Sequence, residues 1–236
     1  LIFVTQTPDY LLPSCSCVIE GRMSFNIKYC LDLNMGCSGF VYGLSVLNSL
    51  ISTNVIKNGV VICCDMYTKI IDKMDRSTRT IFSDGGSLTF LDQALDPKFL
   101  KFDFMTKGSS YNSLIVEKGG AKSFGTPKIS MKGSDVFLFT QNFVKKRVHS
   151  FILSSEYFPN KLFFHQASKV VLDSFASYFT EHNVIRYKKN VANITSSTIP
   201  YLLKEGMEND SLKRGETILL SGFGVGLSLA TCIMRW

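Results

Sequence analysis

Apolar positions along this chain fall into short runs that alternate between two spacings. Ile2 to Thr5, Leu31 to Asn34 and the β-branched stretch Val60 to Asp65 each predict a strand. Pro13 to Arg22 predicts a short helix, and Ser38 to Thr53 a longer one whose apolar face carries Phe40, Leu44, Leu47 and Ile51. Ser87 to Asp92 follows the turn "SDGG" as a further strand. Strand and helix signals trade places, which is α/β behaviour.

A polar middle, roughly Leu95 to Gly133, holds "DPK", "KGSS" and "KGGAKSFGTPK" and predicts loops and short strands between two halves, 1–133 and 134–236. The alternation then resumes with an amphipathic helix from about Ser134 to Ser154, the strand "KLFFHQ", the helix "ASKVVLDSFASYF" and the strand-like "NVIRYKK". A helix from about Thr195 to Glu205 and the closing strands "ETILLSG" and "LSLATCIMRW" complete it. "LDLNMGCSGFVYGL" and "KLFFHQASKVVLDSF" share a layout, an apolar strand ending on a chemically capable residue where a helix begins. That layout predicts two similar halves whose strand ends face each other.

At 236 residues, with 45% hydrophobic and 19% charged, the chain can bury a substantial core and falls outside the disordered class. Its apolar runs are strand-sized and far short of a membrane span, so a soluble protein without membrane association is expected. Seven cysteines form an odd count without framework spacing, most of them inside apolar runs, which points to a reducing cytoplasm. With three scattered histidines they make no convincing metal constellation, and no metal or cofactor is expected. The net charge of +7 is dispersed apart from Lys145-Lys146-Arg147 and Lys188-Lys189; it does not indicate nucleic acid, and suits a phosphorylated substrate or an acidic carrier protein.

Cys37 is the first candidate for chemistry. A thiol at a helix N-terminus meets unpaired N–H groups and the positive end of the helix dipole, and both are expected to lower its pKa. Gly36 and Gly39 let the backbone turn sharply and leave space beside the sulfur. His165 sits at a strand end, where open α/β folds place their ligands. Asn193 precedes a Thr-Ser-Ser cluster suited to a helix start, so its ordinary role is capping or loop bonding. Gly222, Gly224 and Gly226 lie between two apolar strands, either as a plain hairpin or as a turn offering backbone N–H groups to a developing oxyanion.

In this order the motifs resemble β-ketoacyl-acyl-carrier-protein synthase III, a condensing enzyme family of the thiolase superfamily. "GCSGF" is similar to the family's nucleophile turn, "DRSTRTIFSDGGS" to its D-R and F-G-D-G-A segment, and "FHQAS" to H-Q-A-N. "ANITSSTIP" resembles G-N-T-S-x-x-x-P and "GFGVGLSLATCIMRW" the closing glycine turn and strand, so the match is colinear from Leu1 to Trp236. The resemblance implies a thiolase-like αβαβα layered fold and a homodimer. It implies that Cys37 takes an acyl group from acyl-CoA, that His165 and Asn193 stabilise the enolate formed from malonyl-acyl carrier protein, and that the backbone N–H groups of Cys37 and Val225 form the oxyanion hole. By the same mapping Phe82 lines the acyl pocket, Leu12 reaches the partner subunit's pocket, and Ser168, Gly224 and Gly226 touch substrate.

Several positions depart from the family's pattern. Ser168 replaces the Asn of H-Q-A-N, Val170 stands where an Arg is common, and Ala192 and Ile194 flank Asn193 in place of the usual residues. These changes leave the Cys-His-Asn set intact but put an acetyl-CoA preference in doubt. The family's opening strands have no counterpart here, so the N-terminal half is expected to be incomplete, and this chain alone poorly stable or inactive unless another segment completes it. Two alternatives keep the same residues: acyl transfer to an oxygen or nitrogen acceptor without condensation, and a papain-like hydrolase, which also carries Cys, His and Asn in chain order.

Overall fold

Two β-α-β-α-β-β runs of the same order build the molecule. The computed structural model describes residues 1–93, 98–187 and 191–236. The first run is β1 (Ile2–Val4), α1 (Cys15–Glu20), β2 (Leu31–Leu33), α2 (Gly39–Ser52), β3 (Asn58–Asp65) and β4 (Gly85–Asp92), with the short helix α3 (Arg76–Arg79) before its last strand. Strands β5 (Lys98–Thr106), β6 (Leu114–Val116) and β7 (Ile129–Met131) and helices α4 (Gly133–Phe139) and α5 (Lys145–Leu153) follow. The second run is β8 (Lys161–Phe164), α6 (Lys169–Tyr178), β9 (Asn183–Val184), α7 (Thr198–Glu208), β10 (Thr217–Gly224) and β11 (Ser228–Arg235).

The sheets repeat the correspondence. The four-stranded sheet has the order β2-β1-β3-β4 and the five-stranded sheet β5-β11-β10-β8-β9, while β6 and β7 pair antiparallel as a separate two-stranded sheet. β1 is parallel to β2 and β3, and β4 is antiparallel to β3; likewise β8 is parallel to β9 and β10, and β11 is antiparallel to β10. The two similar halves are therefore present, but the junctions correspond differently from the expectation. Cys37, between β2 and α2, matches the turn between β9 and α7, whereas His165 after β8 matches Thr5 and Gln6 after β1.

Burial explains why the helices lie where they do. The apolar stripe of α2 (Phe40, Leu44, Leu47) and that of α7 (Ile199, Leu202) share one buried cluster with β1, β3 and the facing side of β8, β10 and β11. These two helices therefore form a layer between the sheets. β8 alternates, with Phe163 facing this layer and Leu162 and Phe164 facing a second cluster under α4, α5 and α6. A strand buried on both faces reads as an unbroken apolar run, as "KLFF" does. Each fully buried Phe or Leu here contributes roughly 1.5–3 kcal/mol.

Two expectations change. The polar middle contains a nine-residue strand, β5, which pairs antiparallel with β11 and so joins the sheet of the second half although it precedes residue 133. The helix expected over 134–154 is interrupted by a π-turn, Thr140–Val144, between α4 and α5. The strand-like segment after α6 pairs only over Asn183–Val184, and its end at Lys188 and Lys189 lies outside the described residues.

Candidate active site

Cys37 occupies a single 3-10 turn, Gly36–Ser38, that links β2 to α2. Gly36 takes φ +50, the left-handed region, and a β-carbon there would stand 2.7 Å from Gln6 Oε1. Ser38 Oγ donates to the Met35 carbonyl at 2.8 Å and lies 2.8 Å from Ser228 Oγ, which ties this turn to the β10–β11 hairpin. β10 runs directly beneath the turn. A β-carbon on Gly222 would be 2.5 Å from the Cys37 carbonyl oxygen, and one on Gly224 would be 3.0 Å from Cys37 Sγ. The glycine segment is thus a hairpin, and its missing side chains make room for the cysteine.

Burial reverses the expected effect on the thiol. Cys37 is 3% exposed, and desolvation followed by the charge of nearby Asp65 pushes it up to about 12, against a smaller lowering by its own backbone N–H. The sulfur is therefore held as the thiol, not as a resting thiolate.

His165 follows β8, and its backbone N–H donates to the Ser221 carbonyl of β10 at 2.8 Å. Its ring meets Phe223 edge-on and is fully enclosed, and desolvation pulls it down to about 3, opposed by a hydrogen bond to the Thr195 backbone. The imidazole is neutral. Its Nδ1 lies 2.7 Å from Thr198 Oγ1, whose hydroxyl also reaches the Thr195 carbonyl at 3.0 Å.

Asn193 is held by its backbone against Phe82 and by its side chain against the next turn. Its N–H donates to the Ile81 carbonyl, its carbonyl accepts from Ser83 N–H, and its Oδ1 accepts from Thr195 N–H at 2.9 Å. The local bonding expected of Asn193 is therefore present, and by occupying Oδ1 it fixes which end of the amide is the carbonyl.

Cys37, His165 and Asn193 come from three separate junctions and wall one cavity of about 130 Å³, together with Phe82, Ser168 and Gly224. Ser168 also caps α6, accepting from Val171 N–H at 3.4 Å. Leu12, Val225 and Gly226 lie outside the cavity wall. Leu12 is 87% exposed on a surface loop, Val225 packs half-buried and accepts from Ser228 Oγ, and Gly226 forms the hairpin tip at φ +133. Val170 is exposed on α6.

The spacing of motifs alone missed Asp65, Thr195 and Thr198, which surround the same site. Asp65 ends β3, is buried, and accepts hydrogen bonds from both halves. A carboxylate at the carboxyl end of a buried β-branched strand was the available signal.

The duplicated sheets and the helix layer between them define a protein of the thiolase fold. A crystal structure of 3-oxoacyl-(acyl-carrier-protein) synthase III covers 100% of this chain and 77% of its own, with TM-score 0.91 and 28% identity. The enzyme of that name from Pseudomonas aeruginosa gives TM-score 0.89 at 25% identity, covering 100% of this chain and 75% of its own.

The chain belongs to the 3-oxoacyl-[acyl-carrier-protein] synthase III family. The family model matches residues 31–108 and its C-terminal model residues 160–236. The β-ketoacyl-[acyl-carrier-protein] synthase III of Lactococcus lactis subsp. lactis is 31% identical over 250 residues, covering 100% of this chain and 77% of the relative. That of Fusobacterium nucleatum is 29% identical over 250 residues, covering 100% and 76%. This membership removes the papain-like hydrolase alternative. Among the described residues no helix is long and apolar enough to cross a membrane.

Proposed function

We propose that the chain catalyses the condensation its family is named for, loading an acyl group from acyl-CoA onto Cys37 and extending it with malonyl-acyl carrier protein in fatty acid or related biosynthesis. What carries this reading is the meeting of Cys37, His165 and Asn193 in one cavity. In the first step Cys37 Sγ attacks the acyl thioester, the C–S bond to CoA breaks, and the thiol proton leaves with CoA. Because Cys37 is held as a thiol, proton loss accompanies attack rather than preceding it.

In the second step the malonyl carboxylate departs as carbon dioxide, and the electron pair of the broken bond passes to the thioester oxygen as an enolate. His165 and Asn193 donate hydrogen bonds to that oxygen. A neutral imidazole can donate from Nε2 when Nδ1 accepts; the Thr198 hydroxyl, 2.7 Å from Nδ1, supplies that bond by turning its one proton from the Thr195 carbonyl, 3.0 Å away, to the ring. The enolate carbon then attacks the acyl-Cys carbonyl, whose oxyanion is held by the backbone N–H groups of Cys37 and Val225. Collapse releases the Cys37 thiolate, which takes a proton from solvent. Phe82 lines the acyl side of the cavity and Ser168 and Gly224 flank the incoming thioester, while Gly226, at the hairpin tip outside the cavity wall, acts through the turn that carries Val225.

A homodimer is part of the same proposal. Leu11 and Leu12 are 88% and 87% exposed, apolar and outside the cavity wall, which suits insertion into a partner copy. The odd, unframed cysteine set suits the cytoplasm.

Intact-mass measurement after incubation with a panel of acyl-CoAs tests the loading step, with Cys37→Ala as control. Carbon dioxide release from malonyl-acyl carrier protein separates condensation from transfer to an oxygen or nitrogen acceptor. Absence of any acyl adduct on the folded full-length protein rejects the assignment.

A further inference from the structure

Among the described residues Asp65 is the only buried acid, and its two carboxylate oxygens face different halves of the molecule. Oδ1 accepts from Gln6 N–H at 2.7 Å and Thr5 Oγ1 at 3.4 Å, both in the segment that follows β1. Oδ2 accepts from Thr195 Oγ1 at 2.5 Å and Ser196 Oγ at 3.2 Å, in the turn that precedes α7. Charged acceptors make the stronger hydrogen bonds, and a buried one holds its donors in fixed places.

Thr195 is the residue that needs holding. It takes φ +52, where a β-branched side chain is strained, and it occupies the place that Gly36, at φ +50, occupies in the first half. Its backbone touches both proposed donors. Thr195 N–H donates to Asn193 Oδ1 at 2.9 Å, and its carbonyl accepts from Thr198 Oγ1 at 3.0 Å, the same hydroxyl that lies 2.7 Å from His165 Nδ1. A movement of Thr195 therefore turns the Asn193 amide and unseats the hydroxyl behind the imidazole together.

We propose that Asp65 is a positioning residue that, by holding Thr195 in its left-handed conformation, aligns His165 and Asn193 as a pair toward the cavity shared with Cys37. The proposal rests on the enolate-stabilising role given to that pair above. Asp65 touches no reacting atom; its hold on Thr195 acts on the decarboxylation step, whereas its charge also raises the Cys37 thiol and so bears on loading.

The two half-reactions are measured separately in the wild type, Asp65→Asn, Thr195→Val and Thr195→Ser, with thermal melting as a control on folding. Asp65→Asn replaces one acceptor oxygen by an amide donor facing other donors, and Thr195→Val removes a single hydroxyl at nearly constant shape. Both are expected to lower carbon dioxide release from malonyl-acyl carrier protein by about 10- to 100-fold; acyl loading of Cys37 is expected to stay within about threefold in Thr195→Val, which keeps the Asp65 charge beside the thiol, and Thr195→Ser, which keeps the hydroxyl, is expected to restore release. Thr195→Val is the arm that stands if Asp65→Asn fails to fold. Unchanged release in folded Thr195→Val overturns the proposal, as does a loss of loading and release in equal proportion. If the folded full-length wild type neither loads an acyl group nor releases carbon dioxide, the reading of the site has failed, and the positioning role goes with it.

Discussion

Gly224 lies so close to Cys37 that a β-carbon on it would stand 3.0 Å from both the Cβ and the Sγ of the cysteine. The neighbouring Gly222 faces backbone instead, 2.5 Å from the Cys37 carbonyl oxygen and 2.8 Å from Ser38 Cα. One glycine thus protects the nucleophile's freedom and the other the seating of its turn. Gly224→Ala is expected to lower acyl loading at least about tenfold, with a stability loss of about 1–3 kcal/mol from overpacking. Intact-mass loading rates read beside urea midpoints check this; full-rate loading in the variant rejects the crowding argument.

The thiol of Cys37 is raised to about 12 by burial and by Asp65. A group titrating so high has a thiolate fraction that grows about tenfold per pH unit throughout the neutral range. Alkylation of Cys37 by iodoacetamide is therefore expected to keep rising across roughly pH 7 to 9 without levelling. Peptide mapping, which separates Cys37 from the other cysteines, provides the rate. A plateau below about pH 8 would show a resting thiolate instead.

His165 is held down to about 3 from an ordinary value of 6.5. Between those values the unfolded chain binds a proton that the folded chain refuses, so this residue's contribution to stability falls as pH drops through that window and levels off below it. Subtracting the urea-midpoint profile of His165→Gln from that of the wild type isolates the contribution. The difference is expected to shrink in the wild type's disfavour as pH falls below 6.5. A flat difference contradicts a neutral, enclosed imidazole.

Much of the site was legible because its junctions carry local signals. The strand–turn–helix around Cys37, the strand end at His165 and the turn at Asn193 each combine an apolar run with turn chemistry, and all three meet in the cavity. What sequence hides is depth. A helix terminus beside a cysteine can be read from glycines and periodicity, whereas the desolvation that dominates its thiol depends on β10 lying beneath it. The Asp65–Thr195 bond joins residues 130 positions apart, beyond the reach of any periodicity. β5 was hidden for another reason. Its pairing with β11 shifts register between Ile233 and Met234, so the alternation of "KFLKFDFMT" breaks at Leu100 and the segment looks like part of its polar surroundings.

Phe82 forms part of the wall of the cavity that holds Cys37. Its ring is 7% exposed, packs 5.0 Å from that of Tyr67, and shares a β-bridge with Asn193, so it is fixed from both sides. The cavity it lines measures about 130 Å³. Replacing the ring by a smaller branched side chain lengthens the space without removing the wall, and a large-to-small change of this kind costs about 1–3 kcal/mol. Phe82→Leu is expected to shift covalent loading of Cys37 toward longer acyl-CoAs while loading of the shortest donor falls no more than about threefold. Competition between acyl-CoAs of increasing chain length, read by intact mass, decides the point. If the folded variant keeps the wild-type preference, chain length is limited elsewhere along the pocket and Phe82 serves only as packing.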